Sequence, residues 1–360
     1  SKTGPGHKGF AVSAEPDLSP REAARRRDFT VNAILQDTLT AEVVDPWNGR
    51  ADLERCVLRH VSPAFAEDPL RALRAARFAA RFPWRIAAET AALCRGFDLS
   101  ELPRERLEGE WREILLHGSS PGRGLEALET VGALRFFPEI AAMRGVPQDP
   151  VWHPEGDVFH HTCLALDAGA TIRDSMEDPW AEMLGILCHD FGKPATTVFE
   201  RGHWRCPDHD NAGVEPTRSF LARITGQTAL IDKVCAFVRE HLRPSQLYHA
   251  RDKVKDGAIR RLSMRADLQA LVRVSWADGA GRGQGSPPPW PAGFWLLERA
   301  ANLGVAEGRP RPLLRGRDLI ALGMQPGPAM GALLKEAFEA QLEGKLATLE
   351  EARAWVAKRL

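Results

Sequence analysis

FAEDPLRALRAARFAARF, residues 65–82, carries the reading on which the fold turns. Leu70, Leu73, Ala76 and Ala80 recur at helical spacing, and no breaker follows Pro69. Asp68 before Pro69 reads as an N-cap with proline at the first helical position. Asp68, Arg71, Arg74 and Arg77 then step along one side at intervals of three. Residues at that spacing share a helix face, so the plain reading is a solvated row of weak ion pairs. Hydrogen-bond chemistry offers a sharper one, because a carboxylate only accepts and a guanidinium only donates. Cytosine and adenine each present an amino donor beside a ring-nitrogen acceptor, whereas uracil and guanine present the reverse. An Asp/Arg pair on one rigid face fits the first two bases. It rejects the others, since each mispaired buried polar group costs about 1–3 kcal/mol.

Working outward, Ser1–Pro20 is rich in Gly, Lys, Pro and Ser and reads as a loop. A short helix from Asn32, a strand around Ala41–Val44 and a turn at Pro46–Gly49 follow. The pattern is helical from Leu53 to about Arg144, and again from Trp152 to Asp278 with a polar interruption at Phe199–Asn211. Gly279–Gly293 reads as a linker, and a helical tail runs to Leu360. The chain is thus expected to be mostly α, without internal repeats.

Its 360 residues leave room for two or three domains, and 44% hydrophobic with 27% charged residues is ordinary for a soluble globular protein. A formal net charge of +0 argues against nonspecific polyanion binding while leaving a local basic surface open. Arginine outnumbers lysine, which suits bidentate phosphate contacts, although a GC-rich genome gives the same bias. Six cysteines without CxxC pairing read as reduced and cytoplasmic. There is no apolar run of membrane-spanning length and no signal peptide, so no membrane partner is expected.

Two further groups of residues carry chemistry. RRRDFTVNAI (Arg25–Ile34) sets Arg27, Asp28 and Asn32 at a helix entry. Asp28 or Thr30 is either a plain cap, or Asp28 and Asn32 accept from a ribose hydroxyl while Arg27 neutralises phosphate. WHPEGDVFHHT (Trp152–Thr162), LCHDFGK (Leu187–Lys193) and SWADGAGRG (Ser275–Gly283) supply His161, the adjacent pair His189–Asp190, and Asp278. Imidazole with carboxylate suits a divalent ion such as Mn²⁺, Ni²⁺, Mg²⁺ or Fe²⁺. Such an ion acidifies bound water and polarises a phosphoryl oxygen. Lys193, a turn beyond, is placed to hold a phosphate, and His160 or His153 are alternatives to His161.

RRRDFTVNA, DPWNGRADL (Asp45–Leu53), the Phe65–Phe82 stretch and ERLEGE (Glu105–Glu110) occur in that order. Together they resemble four successive motifs of the bacterial class II CCA-adding tRNA nucleotidyltransferases and the related poly(A) polymerases. The resemblance implies that the first motif contacts ribose and the second is a joint between head and neck. It further implies that Asp68 and Arg71 pair with the incoming C or A, with Arg74 and Arg77 beside them. Glu105, Arg106 and Glu110 would brace the neck. ATP and CTP are the implied substrates, tRNA the partner and Mg²⁺ the ion of nucleotidyl transfer. The family's Gly-Gly turn and Asp-x-Asp strand are not found in this chain, which begins at Ser1. It is therefore expected to be a fragment without catalytic residues for nucleotidyl transfer, unable to polymerise alone.

The order His161…His189–Asp190…Asp278 is similar to that of the HD metal-dependent phosphohydrolases, and specifically to the HD domain appended to many bacterial CCA-adding enzymes. This implies a transition metal such as Mn²⁺ or Ni²⁺ and a phosphatase or 2′,3′-cyclic phosphodiesterase activity, with His209 and His241 as auxiliary histidines. The tail from Pro312 to Ala352 resembles the C-terminal element of the same enzymes. Its GMQPGPAMG (Gly323–Gly331) is either a plain αα-turn or a helix N-terminus presented to RNA. The expected organisation is a remnant of an α/β nucleotidyltransferase head (1–55), a helical nucleotide- and RNA-binding neck (56–145), an all-helical HD domain (146–280) and a helical RNA-binding tail (281–360). A stand-alone HD phosphohydrolase and a poly(A) polymerase are the alternatives. Whether the chain adds CC, A or CCA, and its oligomeric state, stay open.

Overall fold

The structure is a computed structural model that describes residues 18–283 and 290–360. The loop read over Ser1–Pro20 and the centre of the Gly279–Gly293 linker fall almost wholly outside them. The described residues are mostly helical, and the strands among them form three separate two-stranded pairs. Among them no helix is long and apolar enough to cross a membrane, and the six cysteines are all free thiols. The chain divides into two compact units, one of residues up to 114 with 123–136, the other of 115–122 with 137–360.

In the first unit the Arg71–Arg81 helix buries Ala72, Leu73, Ala75, Ala76, Ala79 and Ala80. Such short side chains leave a shallow face that a neighbour approaches closely. Gly124 exploits this: a Cβ there would stand 3.1 Å from the Ala80 Cβ and 2.9 Å from an Ile114 methyl. Phe29 is fully buried and packs edge-on to Phe65 and Phe78, with centroids 5.6 and 5.2 Å away.

Two local readings change. The helix opens at Arg71, not at Pro69; Pro63–Glu67 is a 3-10 turn, and Asp68 is extended at φ −132°, ψ 102°. The cause is Pro69, whose ring disfavours helical backbone at the residue before it. Asp68 accepts from Leu70 N at 3.2 Å and so closes a turn rather than capping the helix. Likewise Thr30–Asn32 is a single 3-10 turn, succeeded at once by Leu35–Gln36, which pairs antiparallel with Val43–Val44. Val57–Leu58 pairs in parallel with Arg85–Ile86 inside a stretch that reads as helical.

The second unit is organised on Pro179–Cys188, buried at every position from Trp180 to Cys188, as expected of a helix apolar on all sides. Helices Val158–Thr171, Thr228–Glu240 and Leu268–Ala280 pack against it. Its one buried acid, Glu182, accepts two hydrogen bonds from Arg273 of Leu268–Ala280, at 2.6 and 2.9 Å. That pair fixes the register between the helix preceding His189 and the helix bearing Asp278. Within the polar interruption, Val198–Glu200 and His203–Arg205 form a hairpin. The tail folds Gly316–Ala321, Pro328–Leu342 and Leu349–Ala357 around a core of Leu319, Met330, Leu346 and Val356.

Candidate functional site

In the first unit the charged residues singled out from the sequence hold one another. Asp28 is buried; its Oδ1 accepts from Asn32 Nδ2 at 2.5 Å and Phe29 N at 3.1 Å, and its Oδ2 from Arg74 Nε at 2.5 Å. Burial opposes its charge, but Arg74 and Asn32 outweigh that and hold its carboxyl below the usual range. Asp68 does not pair with Arg71. Arg106 grips it instead, Nη1 to Oδ1 at 3.2 Å and Nη2 to Oδ2 at 2.8 Å, the fork geometry of a bidentate pair. Against the cost of burial this also holds Asp68 low. Arg71 donates to the backbone carbonyls of Ala64 at 2.8 Å and Arg26 at 2.6 Å. Buried Glu110 lies 3.5 Å from Arg74 and 3.4 Å from Arg77, while Arg27 is exposed. Glu105 lies in the first turn of the helix Arg104–His117, which also carries Arg106 and Glu110.

In the second unit four imidazoles converge from four different elements. Asp157 caps Val158–Thr171 and so starts the helix one turn before His161. His189 ends Pro179–Cys188, His241 ends Thr228–Glu240, and His209 opens the turn His209–Ala212. Asp278 lies in the last turn of Leu268–Ala280. Gly192 allows the two halves to meet, because a Cβ there would fall 2.0 Å from the His209 carbonyl oxygen.

Each imidazole has its Nδ1 committed. His161 Nδ1 contacts Glu155 Oε1 at 2.6 Å. His189, His209 and His241 turn Nδ1 to the carbonyls of Ile186, Cys206 and Val238 at 2.7, 2.8 and 2.6 Å. A carbonyl only accepts, so each of these Nδ1 atoms carries the hydrogen and, in a neutral ring, Nε2 carries a lone pair. Where both rings of a pair are neutral those lone pairs face one another: His161 Nε2 is 3.3 Å from His189 Nε2, and His209 Nε2 is 3.3 Å from His241 Nε2. Only a proton or a cation between them relieves the repulsion.

The carboxylates complete two groups whose ligand atoms lie within 4.8 Å of one another, His161–His189–Asp278 and Asp190–His209–His241. Asp278 Oδ1 is 3.2 Å from His161 Nε2; Asp190 Oδ2 is 3.2 Å from His189 Nε2, and Asp190 Oδ1 is 3.5 Å from His209 Nε2. Burial would raise both acids, yet the surrounding imidazoles, joined at Asp190 by Lys193, hold them well below the usual range. His161 is pushed up to about 8: burial works against its charge, but Asp278 and Glu155 on either side prevail. Burial takes His241 down to about 4. Lys193 Nζ is 2.7 Å from Asp190 and donates to Gln148 Oε1 at 2.7 Å.

Of the three histidines in the Trp152–Thr162 segment, only His161 reaches Asp278; His153 stacks edge-on against it at 4.9 Å and also contacts Glu155. Glu155 is the residue that sequence reasoning missed. Burial raises its carboxyl, yet the bonds from His153 and His161 bring it to about 2. The available signal was an acid six residues before His161 in a segment crowded with imidazole.

The chain as a whole resembles known proteins. Residues 6–59 match the family described as the poly A polymerase head domain. The chain is 36% identical over 353 residues to the multifunctional CCA protein of Halorhodospira halophila, covering 93% of this chain and 80% of that protein. It is 37% identical over 327 residues to that of Nitrosococcus oceani, covering 87% and 77%. Among solved structures, a CCA-adding enzyme in complex with CTP superposes with a TM-score of 0.57 at 17% identity, covering 94% of this chain and 72% of that one. The Thermotoga maritima CCA-adding enzyme complexed with tRNA gives 0.52 at 18%, covering 94% and 74%. At those identities the likeness is one of fold.

Proposed function

The chain belongs to the bacterial multifunctional CCA protein family of tRNA nucleotidyltransferases, and from that premise we propose how its two units divide the work. The family activity is CCA addition and repair at the tRNA 3′ end, with CTP and ATP as substrates, tRNA as acceptor and a divalent metal. A stand-alone phosphohydrolase and a poly(A) polymerase give way to this reading, because the relatives match across 93% of the chain.

In the first unit Asp28 and Asn32 meet the ribose, Arg27 the phosphates, and Asp68 with Arg71 the base edge of C or A. Arg74 and Arg77, anchored on Asp28 and Glu110, supply the positive floor. Because Asp68 holds Arg106 and Arg71 holds two carbonyls, a base is read by exchange of partners. Arg71→Ala, in a protein with active nucleotidyl transfer, is expected to lose preference for CTP over UTP. Retained preference would return Arg71 to a structural role.

In the second unit we assign an HD-type metal centre at His161, His189, Asp190 and Asp278, with His209 and His241 beside it and Lys193 directed to phosphate. The observation that carries this is the pair of 3.3 Å contacts between Nε2 atoms whose rings have already committed Nδ1. Carboxylates that orient ligating imidazoles are the usual surroundings of such a centre, and Glu155 does this for His161. Mixed imidazole and carboxylate ligation fits Mn²⁺ or Ni²⁺, and a bound ion would supply an acidified water and a polarised phosphoryl oxygen. The reaction is hydrolysis of a phosphomonoester or 2′,3′-cyclic phosphodiester: a P–O bond to water forms, one to ribose breaks, and the ribose oxygen leaves with a proton. Purified protein with Mn²⁺ or Ni²⁺ is expected to open 2′,3′-cAMP. EDTA or Asp278→Ala is expected to abolish turnover without unfolding the chain, and turnover unchanged by Asp278→Ala would remove the assignment. The accompanying domain reading is head remainder to residue 55, neck to 145, HD domain to 280 and tail to 360.

A further inference from the structure

Over the candidate metal centre lies a cavity of about 270 Å³ whose floor holds Asp190, His209, His241 and Asp278. Its rim differs in kind from that floor. Trp152 lines it while 64% exposed, and Trp204 lines it from the hairpin. Phe199, 59% exposed, sits opposite Trp204 in the hairpin register, their centroids 4.9 Å apart. His203 of the hairpin contacts Asp149 Oδ2 at 2.9 Å, tying the hairpin to the segment that carries Trp152. Large apolar side chains are left in solvent on two neighbouring segments, around a cavity that also carries Lys193 and Arg282. The Arg282 Nε is buried with no hydrogen-bond partner.

We propose that Trp152 and Trp204 form a stacking rim that selects nucleobase-bearing substrates at this site. The ligand is a ribonucleoside carrying a 2′- or 3′-phosphate, free or at the end of an RNA. Lys193 and Arg282 meet the phosphate and the rings meet the base. Cation and aromatic face together are what a nucleotide requires, because every base has a π-face and stacking tolerates any sequence. A bare phosphate uses the floor alone and gains nothing from the rim. Phe199 backs Trp204 and limits its rotation, so the ring is held ready before ligand arrives. This inference rests on the phosphohydrolase reading for its phosphate and adds the base.

The test is calorimetric binding of 3′-AMP and of glycerol 2-phosphate in EDTA, where neither is turned over. 3′-AMP is expected to bind at least about tenfold more tightly. Trp152→Ala and Trp204→Ala each reduce that ratio severalfold without altering glycerol 2-phosphate binding, and Trp204→Phe restores it. Equal affinities for the two ligands in the parent protein, or a ratio unmoved by both alanine variants, overturns the rim. With Mn²⁺, the same variants raise KM for 2′,3′-cAMP and leave kcat in place. A 3′-terminal 2′,3′-cyclic phosphate on a short RNA, run alongside, separates the RNA-end source from the free nucleotide. Absence of metal-dependent turnover overturns the phosphohydrolase reading, while base-dependent binding would still stand.

Discussion

The arginine–carboxylate cluster of the first unit and the histidine–carboxylate cluster of the second use equally polar side chains but pair them to different degrees. In the first, each acid has a guanidinium at hand: Asp28 has Arg74, Asp68 has Arg106, and Glu110 lies between Arg74 and Arg77. In the second, ring nitrogens face ring nitrogens at 3.3 Å, and the carboxylate of fully buried Asp190 has only ion-pair approaches. The first cluster is therefore mostly paired within itself, with Glu110 Oε2 its one buried oxygen lacking a hydrogen bond among the described residues. The second cluster gathers imidazole and carboxylate atoms within 4.8 Å of one another, the arrangement on which the proposed metal centre rests.

The contrast is open to attack at several points. Glu182→Ala would strand Arg273 in the interior of the second unit, and breaking such a buried pair costs about 3–5 kcal/mol. Hydrogen exchange in peptides from Pro179–Cys188 and Leu268–Ala280 is expected to speed accordingly. A loss of under about 1 kcal/mol would make that pair no different from a surface one. Glu155→Gln keeps the shape but weakens the grip on His161, and should lower Mn²⁺ affinity by about 10–100-fold in calorimetry. Unaltered affinity would mean that His161 is oriented by packing alone.

The smallest effect belongs to the first unit. Arg106→Ala removes a partly exposed pair and should cost about 1 kcal/mol. Asp68 is held below its unfolded value, so the contribution is present above about pH 4 and fades as pH falls through the lowered folded value. Parent and variant should therefore converge in stability at acid pH, measured by urea unfolding. A difference that persists there would point to packing by the Arg106 stem.

Chain order singles out His161, His189, Asp190 and Asp278, because a pattern such as HDFGK is written locally, whereas His209 and His241 come only from the family resemblance. The Leu70–Leu73–Ala76–Ala80 seam was equally plain and is buried. What the sequence hid were partnerships across distance. Arg106 and Asp68 stand 38 positions apart, and nothing near Asp68 announces that its nearest guanidinium belongs to another helix. The start of the Arg71–Arg81 helix was misread because Asp-Pro serves both as a helix opening and as the bend before one. Strand pairs of two residues, such as Val57–Leu58 with Arg85–Ile86, are too short to leave an alternating pattern. Glu155 was passed over because it touches imidazole rather than the centre.

The absent side chain at position 192 has a consequence for anyone re-engineering the second unit. Main chain rests on main chain there, so the separation between Asp190 and His209 is set by peptide atoms and is indifferent to the identity of the donors. On the proposed metal reading, histidines and acids can be exchanged while the spacing stays put. A single methyl group at 192 would act as a wedge, widening the gap for all of them at once.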